Sequence, residues 1–256
     1  MKSQFSFLVR EFNKDITVGP GKPFHENETD KLPEPVKKYL DFTGFSKIGH
    51  VNCLRLRQEG IFRSSLQAGW MPFTAEQYFN PGQVSFAWYA RMSGPLGIKF
   101  HAVDRYVKGE GRMHVKLANM YTIADSKGPE IDQGELIRYL AEMMWFPSSF
   151  TDEYIHWESI DDLSAKATIT HNNISASGIF HFEKDGRLNS FTARRYKAGG
   201  KYYFLEDWIT PVLNYSQFGD VLIPSDTEVT WKLNIGELTY AKLRLKSIEF
   251  NNPGIY

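Results

Sequence analysis

The feature that most constrains the fold is an alternation of apolar and polar residues with a period of two, which begins near residue 50 and continues almost to the end of the chain. Such alternation is typical of antiparallel strands that have one face in a core and the other in water. Turn residues such as Asn172-Asn173 and Asp185-Gly186 separate the runs. The pattern predicts strands at residues 50–57, 83–91, 98–106, 111–121, 163–170, 174–182, 187–196, 201–209, 227–233 and 239–250.

Two helices interrupt this pattern. Residues 36–42 follow two prolines and stop near Gly44, which predicts a short helix. Residues 132–146 predict a longer one, in which Asp132 is the N-cap, Glu135 completes a capping box and an apolar stripe is broad enough to cover a sheet. We expect Arg138 and Glu142 to pair along this helix.

No repeat, low-complexity tract or linker divides the 256 residues. We therefore predict an N-terminal arm at residues 1–31 and a single domain at residues 32–256. Within the arm, aromatic and aliphatic residues near the start predict a short amphipathic helix that packs onto the body. Residues 15–34, which contain Gly19-Pro20-Gly21, predict an irregular segment.

Charge and cysteine content exclude several classes of protein. The 30 Lys and Arg balance the 30 Asp and Glu, so the chain lacks the positive charge that nucleic-acid binding requires, and we predict no nucleic-acid partner. A single cysteine, Cys53, excludes a disulfide framework within the chain and predicts a small core residue. No apolar window reaches the length of a membrane span and no signal peptide is recognisable, so we expect a soluble, cytoplasmic protein without a transmembrane segment.

The sequence contains none of the common catalytic or phosphate-binding fingerprints. We therefore predict no catalytic residue, no cofactor and no metal site, and the chain is not assigned as an enzyme.

Matching the apolar faces of successive strands gives a register for the hairpins. Setting Phe86 opposite Asp104, and Asp104 opposite Met113, places one apolar face along 83–91, 98–106 and 111–120. The same procedure places Arg195 on the apolar face of a second meander. Two charges, Asp104 and Arg195, therefore stand on apolar faces, where an unpaired charge is costly. We expect Asp104 to be buried with a polar partner, the candidates being Arg195, Tyr106 or a Trp indole. The opposite face should carry a basic patch of Arg91, Lys99, Arg105, Arg112 and Lys116.

Several segments in this order resemble a bacterial family of unknown function: LPEPVKKYL (32–40), RQEG (57–60), WMPFTAEQ (70–77), FAWYAR (86–91), DRY (104–106) and GELIRYLAE (134–142). The resemblance implies the fold of the LolA- and LppX-type lipoprotein carriers. That fold is a strongly curved antiparallel sheet, an unclosed half-barrel, with helices on its concave face. Those carriers bind acyl chains in the hollow.

The fold class expected is therefore mainly β with helices, and the expected function is binding of a hydrophobic or amphiphilic, lipid-like small molecule in a cavity between sheet and helices. Asp104, Tyr106 and Arg195 are the predicted polar anchors of this ligand site, and Trp70, Trp88 and Trp145 its apolar walls. One alternative is an enzyme that uses Asp104 as a desolvated acid or base. Another is an interaction protein with a packed core. A cavity of several hundred cubic ångströms would favour the first two hypotheses, and a filled core the third.

Overall fold

A computed structural model describes residues 1–16, 19, 21–25 and 27–256. Thirteen strands in these residues form one antiparallel sheet, which curls into an open half-barrel. Strands contain 53% of the residues and helices 21%, as the alternating pattern predicts. The strands are β1 (Leu54–Phe62), β2 (Met71–Asn80), β3 (Ser85–Ser93), β4 (Lys99–Val107), β5 (Glu110–Leu117), β6 (Tyr121–Lys127), β7 (Ile155–Asp161), β8 (Ser164–His171), β9 (Ile174–Phe182), β10 (Leu188–Gly199), β11 (Tyr202–Phe218), β12 (Val221–Leu233) and β13 (Gly236–Phe250).

The sheet consists of two meanders joined at their ends. Strands β1–β6 form one meander and β7–β13 the other, and β1 pairs with β13 in the middle of the sheet. Strands β6 and β7 are consequently the two free edges. The half-barrel is therefore open between β6 and β7, and the chain segment between these two strands connects the two edges.

In the described residues, four α-helices accompany the sheet: α1 (Lys2–Asn13), α2 (Glu34–Thr43), α3 (Phe45–Ile48) and α4 (Pro129–Glu142). Helix α4 lies between β6 and β7 in the chain and crosses the concave face, where it contacts β4 and β5 on one side and β9 and β10 on the other. Helix α2 also covers this face, against β8 and β12. Gly44, with φ of 80°, ends α2 in the left-handed conformation that favours glycine.

Helix α1 packs on the opposite, convex face, against β2 and β3. Phe5, Val9 and Phe12 bury its apolar side on Tyr78, Ala87 and Tyr89 of these strands. The prediction that this segment packs onto the body is confirmed. The irregular segment expected at 15–34 includes residues 17, 18, 20 and 26, which lie outside the described residues.

Two close contacts with glycine position the interior. A Cβ at Gly111 would come within 2.7 Å of the Ile131 carbonyl oxygen, so glycine allows the first turn of α4 to lie directly on β5. A Cβ at Gly178 would overlap the Phe191 ring, which lies across β9. Glycine at these two positions therefore lets α4 and an aromatic ring approach the strand backbone.

The predicted faces are confirmed, with one error of register. Asp104 lies opposite Met113, and Phe180 opposite Phe191, as expected. Phe86, however, lies opposite Tyr106 rather than Asp104, and Trp88 takes the place opposite Asp104. The error is two residues, so every side chain keeps its face.

The alternating pattern did not predict β2, β6 or β7. Strand β2 is buried on both faces, by the core on one side and α1 on the other, and alternation is lost where both faces are apolar. Strands β6 and β7 are edge strands with mostly exposed side chains, so no apolar face marks them.

Candidate functional site

Five charged side chains meet between α4 and the concave face of the sheet, and we name them the buried ionic cluster: Asp104 (β4), Arg195 (β10) and Glu135, Arg138 and Glu142 (α4). No member has more than 15% of its side chain exposed. The three α4 residues are spaced at i, i+3 and i+7, which places them on one side of the helix. A single helix face therefore supplies partners to both halves of the sheet.

Arg138 holds one half of the cluster together. Its Nη1 donates to Asp104 Oδ2 at 2.5 Å and its Nε to Glu142 Oε1 at 2.9 Å. Gln77 Nε2 donates to the second oxygen of Glu142 at 2.7 Å. The guanidinium also lies over the Trp88 ring, 5.2 Å from its centroid. Arg138 thereby has two carboxylates and an aromatic face as neighbours, the arrangement that offsets the cost of burying it.

Arg195 occupies the matching position in the other half. Its Nη2 donates to Glu135 Oε1 and its Nε to the Gly134 carbonyl oxygen, both at 2.9 Å. The guanidinium lies 5.1 Å from the Trp208 ring centroid. Tyr240 accepts a hydrogen bond from Trp208 Nε1 at 3.2 Å and lies 3.5 Å from Arg195 Nη1. Each buried arginine therefore has a carboxylate and a tryptophan as its principal partners.

The two halves join where Asp104 meets Glu135. Asp104 Oδ1 and Glu135 Oε2 are buried and receive no hydrogen bond from any other described group, while the two carboxyls lie within hydrogen-bond distance of each other. A proton between them satisfies both oxygens. Burial, followed by the charge of Asp104, raises the pKa of Glu135 to about 8, so this proton is present at neutral pH. Burial also raises the pKa of Glu142, although the Arg138 charge and the hydrogen bonds from Arg138 and Gln77 oppose this effect.

The sequence prediction of Asp104 is right about its burial and wrong about its partner. Asp104 is 7% exposed, and its basic partner is Arg138, not Arg195, Tyr106 or an indole. Arg195 instead pairs with Glu135. The expected capping box is also wrong, because α4 begins three residues before Asp132. Asp132 Oδ1 accepts from Gly111 N at 2.7 Å and so ties the start of α4 to β5.

The other predicted site residues do not all join the cluster. Trp88 adjoins it and donates from Nε1 to Gln58 Oε1 at 3.0 Å. Tyr106 is buried two residues beyond Asp104, and its hydroxyl meets His171 Nδ1 at 3.1 Å. Trp145 is buried elsewhere in the core and donates to the Pro224 carbonyl oxygen. Trp70 is only partly buried and lies beside Arg63, whose guanidinium is 4.6 Å from its ring centroid.

Sequence reasoning missed the cluster roles of Glu135, Arg138 and Glu142. The Arg138–Glu142 pair was expected and is confirmed, and both of its side chains are largely buried. The signal that identifies all three is the i, i+3, i+7 spacing of charges on a helix that has to cover an apolar sheet.

The space between α4 and the sheet is filled by side chains of the cluster and the core, among them Tyr106, Leu136 and Leu140. Two pockets in the described residues lie elsewhere. One, of about 460 Å³, lies on the convex face next to Lys2 and Arg57. The other, of about 190 Å³, lies near Ala198 and Ile235. The hollow expected beneath α4 is therefore a packed interior, which for this part of the molecule is the outcome that favours the interaction-protein hypothesis.

In the part of the chain that the structure describes, none of the helices has the length and apolar character needed to cross a membrane. The described residues also contain no group of three His, Cys, Asp or Glu side chains placed to hold a metal ion. Cys53 is fully buried, and burial raises the pKa of its thiol to about 11, which keeps it a protonated core residue at neutral pH.

The model of a family of unknown function, DUF6544, matches residues 22–243. The chain belongs to this family. The match extends from before α2 into β13, and so includes every residue of the buried ionic cluster. Comparison with curated proteins gives no match.

Two solved structures are similar in outline. One, from Vibrio parahaemolyticus, carries the name outer membrane lipoprotein-sorting protein domain. It has 10% sequence identity and a TM-score of 0.44, and the alignment covers 78% of this chain and 85% of that one. The other is a DUF1329 family protein from Desulfovibrio piger, with 12% identity and a TM-score of 0.45 over 85% and 94% of the two chains.

Proposed function

We propose that this protein binds a hydrophobic or amphiphilic, lipid-like small molecule on the part of the concave face that the helices leave open. Five apolar side chains there pack against the core yet stay partly exposed, and we name them the open patch: Phe62, Phe100, Val115, Tyr240 and Leu243. They come from β1, β4, β5 and β13. These partly exposed apolar side chains on a concave face are the observation that carries the proposal, since apolar concave surfaces mark ligand or partner sites.

The open patch adjoins the buried ionic cluster through Tyr240. Its hydroxyl lies next to Arg195 and Trp208, and its ring stacks on Trp231 with centroids 6.0 Å apart. An acyl or other apolar chain on the patch would place a polar end group near this tyrosine and the arginine behind it. Concave apolar walls with a few fixed polar groups are the usual composition of small-molecule sites. Of the three predicted polar anchors, Arg195 contacts a residue of the open patch, Tyr240.

The test combines extraction with titration. Native mass spectrometry and organic extraction of the purified protein should recover a copurifying lipid-like molecule, and oleate should bind the emptied protein. Val115→Asp places a charge in the patch and should weaken oleate binding about tenfold or more, because the acyl chain would then cover a carboxylate. Lys116→Asp is the matched control, since it changes the next residue of β5 on the convex face, and it should bind as the wild type does. Equal oleate binding by wild type and Val115→Asp would contradict the proposal.

A second candidate, an enzyme that uses acid–base chemistry, is favoured by the Asp104–Glu135 pair. Carboxyls that hold one proton between them in a desolvated site are a common source of acid–base groups. The candidate predicts that the molecule recovered with wild type differs in mass from the one recovered with Asp104→Asn, because only wild type would convert it. If Asp104 is structural, both proteins carry the same molecule and the substitution costs about 1–3 kcal/mol of unfolding free energy.

A further inference from the structure

The larger pocket lies on the convex face, outside the concave site proposed above. It has a volume of about 460 Å³ and lies over strands β1, β2 and β3, beside the start of α1 and the last described residue of the chain. Its walls carry four cationic side chains, Lys2, Arg57, Arg91 and Lys246, and two tyrosine rings, Tyr89 and Tyr256. Volumes of this size hold molecules as large as a mononucleotide.

The cations outnumber the carboxylates of this pocket. Glu76 forms an ion pair with Lys2. Glu59 forms one with Lys246, whose Nζ lies 3.1 Å from Glu59 Oε1. Arg57 and Arg91 have no carboxylate partner in the described part of the chain. The lining therefore has an excess of two positive charges, both on arginines.

These cations are also close enough to repel one another. Burial lowers the pKa of Lys2, and the charges of Arg91 and Arg57 lower it further. Repulsion between like charges is relieved when an anion enters, so the empty pocket is electrostatically matched to a negative ligand.

The backbone is irregular at the same place. The β1–β13 register shifts between Arg57 and Gln58, because Leu245 and Ser247 pair with neighbouring residues and Lys246 is left over. Such a β-bulge redirects a side chain, and bulges are frequent next to functional sites. Here the bulge turns Lys246 into the pocket. The Arg57 guanidinium in turn lies 3.9 Å from the Tyr256 ring centroid, which fixes its position.

We propose that this convex-face pocket binds the phosphate group of a small phosphorylated molecule, with Arg57 and Arg91 as its principal ligands. Guanidinium groups match the oxygen geometry of phosphate and can donate two hydrogen bonds at once. A phosphate monoester carries about −1.5 to −2 charges at neutral pH, which matches the excess of two cations better than a carboxylate does. Tyr89 and Tyr256 then provide flat apolar walls for the rest of the molecule.

Calorimetric titration with glycerol 1-phosphate and with adenosine monophosphate tests the soluble form of this ligand. Binding of phosphatidic acid vesicles, compared with phosphatidylcholine vesicles, tests the phosphate monoester of a lipid headgroup. Arg57→Gln/Arg91→Gln should reduce the affinity of the phosphate source that binds wild type by about tenfold or more, because two charge-assisted hydrogen-bond donors are lost. Arg57→Lys/Arg91→Lys keeps the two positive charges but lacks the paired N–H donors of the guanidinium groups. Its affinity should lie between those of the wild type and the double glutamine variant.

The matched control is Lys99→Gln/Lys116→Gln, which removes two positive charges from the same face outside the pocket. It should bind within about twofold of wild type once salt screens long-range attraction. Two results would overturn the proposal: no binding of any phosphate probe at millimolar concentration, or an equal loss of affinity in the control. Circular dichroism and thermal melting of all three double variants check that they are folded. The oleate titration of the concave site is unaffected by either result.

Discussion

The two faces of strands β1–β4 differ in whether their charged side chains have partners of opposite charge, although the residues involved are neighbours in the chain. On the concave side, Gln77 and Asp104 meet partners from α4, and every arginine of the cluster has a carboxylate. On the convex side, Arg57 and Arg91 stand in a pocket without one. Burial explains the difference, because an unpaired charge is costly in the interior and inexpensive in contact with water. Unpaired cations can therefore persist on the convex face, where they are free to bind an anion, whereas each arginine of the concave cluster already has a carboxylate partner.

The most severe test of this comparison removes one arginine from each face. Arg138→Met leaves Asp104 and Glu142 buried without their cation, and we expect it to reduce the free energy of unfolding by about 3–5 kcal/mol. Arg112→Met breaks an exposed pair with Asp125 on the convex face, and should cost less than about 1 kcal/mol. Urea denaturation of the three proteins measures both. Similar losses for the two variants would show that the cluster is not what distinguishes the faces.

Helix α1 allows a matched pair of substitutions within one element. Phe5 is 2% exposed against Tyr78 and Tyr89, whereas Phe7 is 65% exposed on the same helix. We expect Phe5→Ala to cost about 3 kcal/mol and Phe7→Ala no more than about 0.5 kcal/mol. Because Lys2 of α1 borders the convex-face pocket, Phe5→Ala should also weaken binding of phosphate probes there. Equal melting temperatures for the two variants would mean that α1 does not hold the convex face.

The sequence determines which face of a strand is buried better than it determines which residues are opposite one another. A shift of one residue would move apolar side chains into water, so the faces could be predicted. A shift of two residues leaves every side chain on its face, and the pattern cannot detect it. The error between β3 and β4 is of this second kind, and the loop that sets the true register contains a tight turn at Pro95–Gly97.

Contacts between a helix and a sheet were harder still to predict. Asp104 and Arg195 were recognised because each breaks an apolar face of a strand. Their partners depend on how α4 rotates and slides over the sheet, and α4 begins at Pro129 rather than at Asp132. The backbone contact at Gly111 fixes that position, and a single hairpin register contains no information about it. The convex-face pocket was not predicted for a similar reason, since it needs α1, β13 and Tyr256 to meet.

The finest distinction between the two faces is the dependence of stability on pH. Glu135 keeps its proton in the folded protein to about pH 8, whereas an unperturbed glutamate releases it near 4.5. Between these values folding takes up a proton, so the free energy of unfolding should fall as pH rises, by at most about 1.4 kcal/mol per pH unit. Glu135→Gln cannot titrate at this position and should remove this slope. The free energy of unfolding of the variant, measured relative to that of the wild type, should therefore increase from about pH 5 to about pH 8.

Because the charge of Asp104 raises the pKa of Glu135 less than burial does, Asp104→Asn should make this slope shallower without removing it. Glu59→Gln, which changes an exposed carboxylate paired with Lys246 on the convex face, should retain the slope of wild type. Urea midpoints measured across this pH range distinguish the three variants. If the stability of the wild type instead rises over this range, in parallel with that of Glu135→Gln, then Asp104 and Glu135 are both ionised in the folded protein.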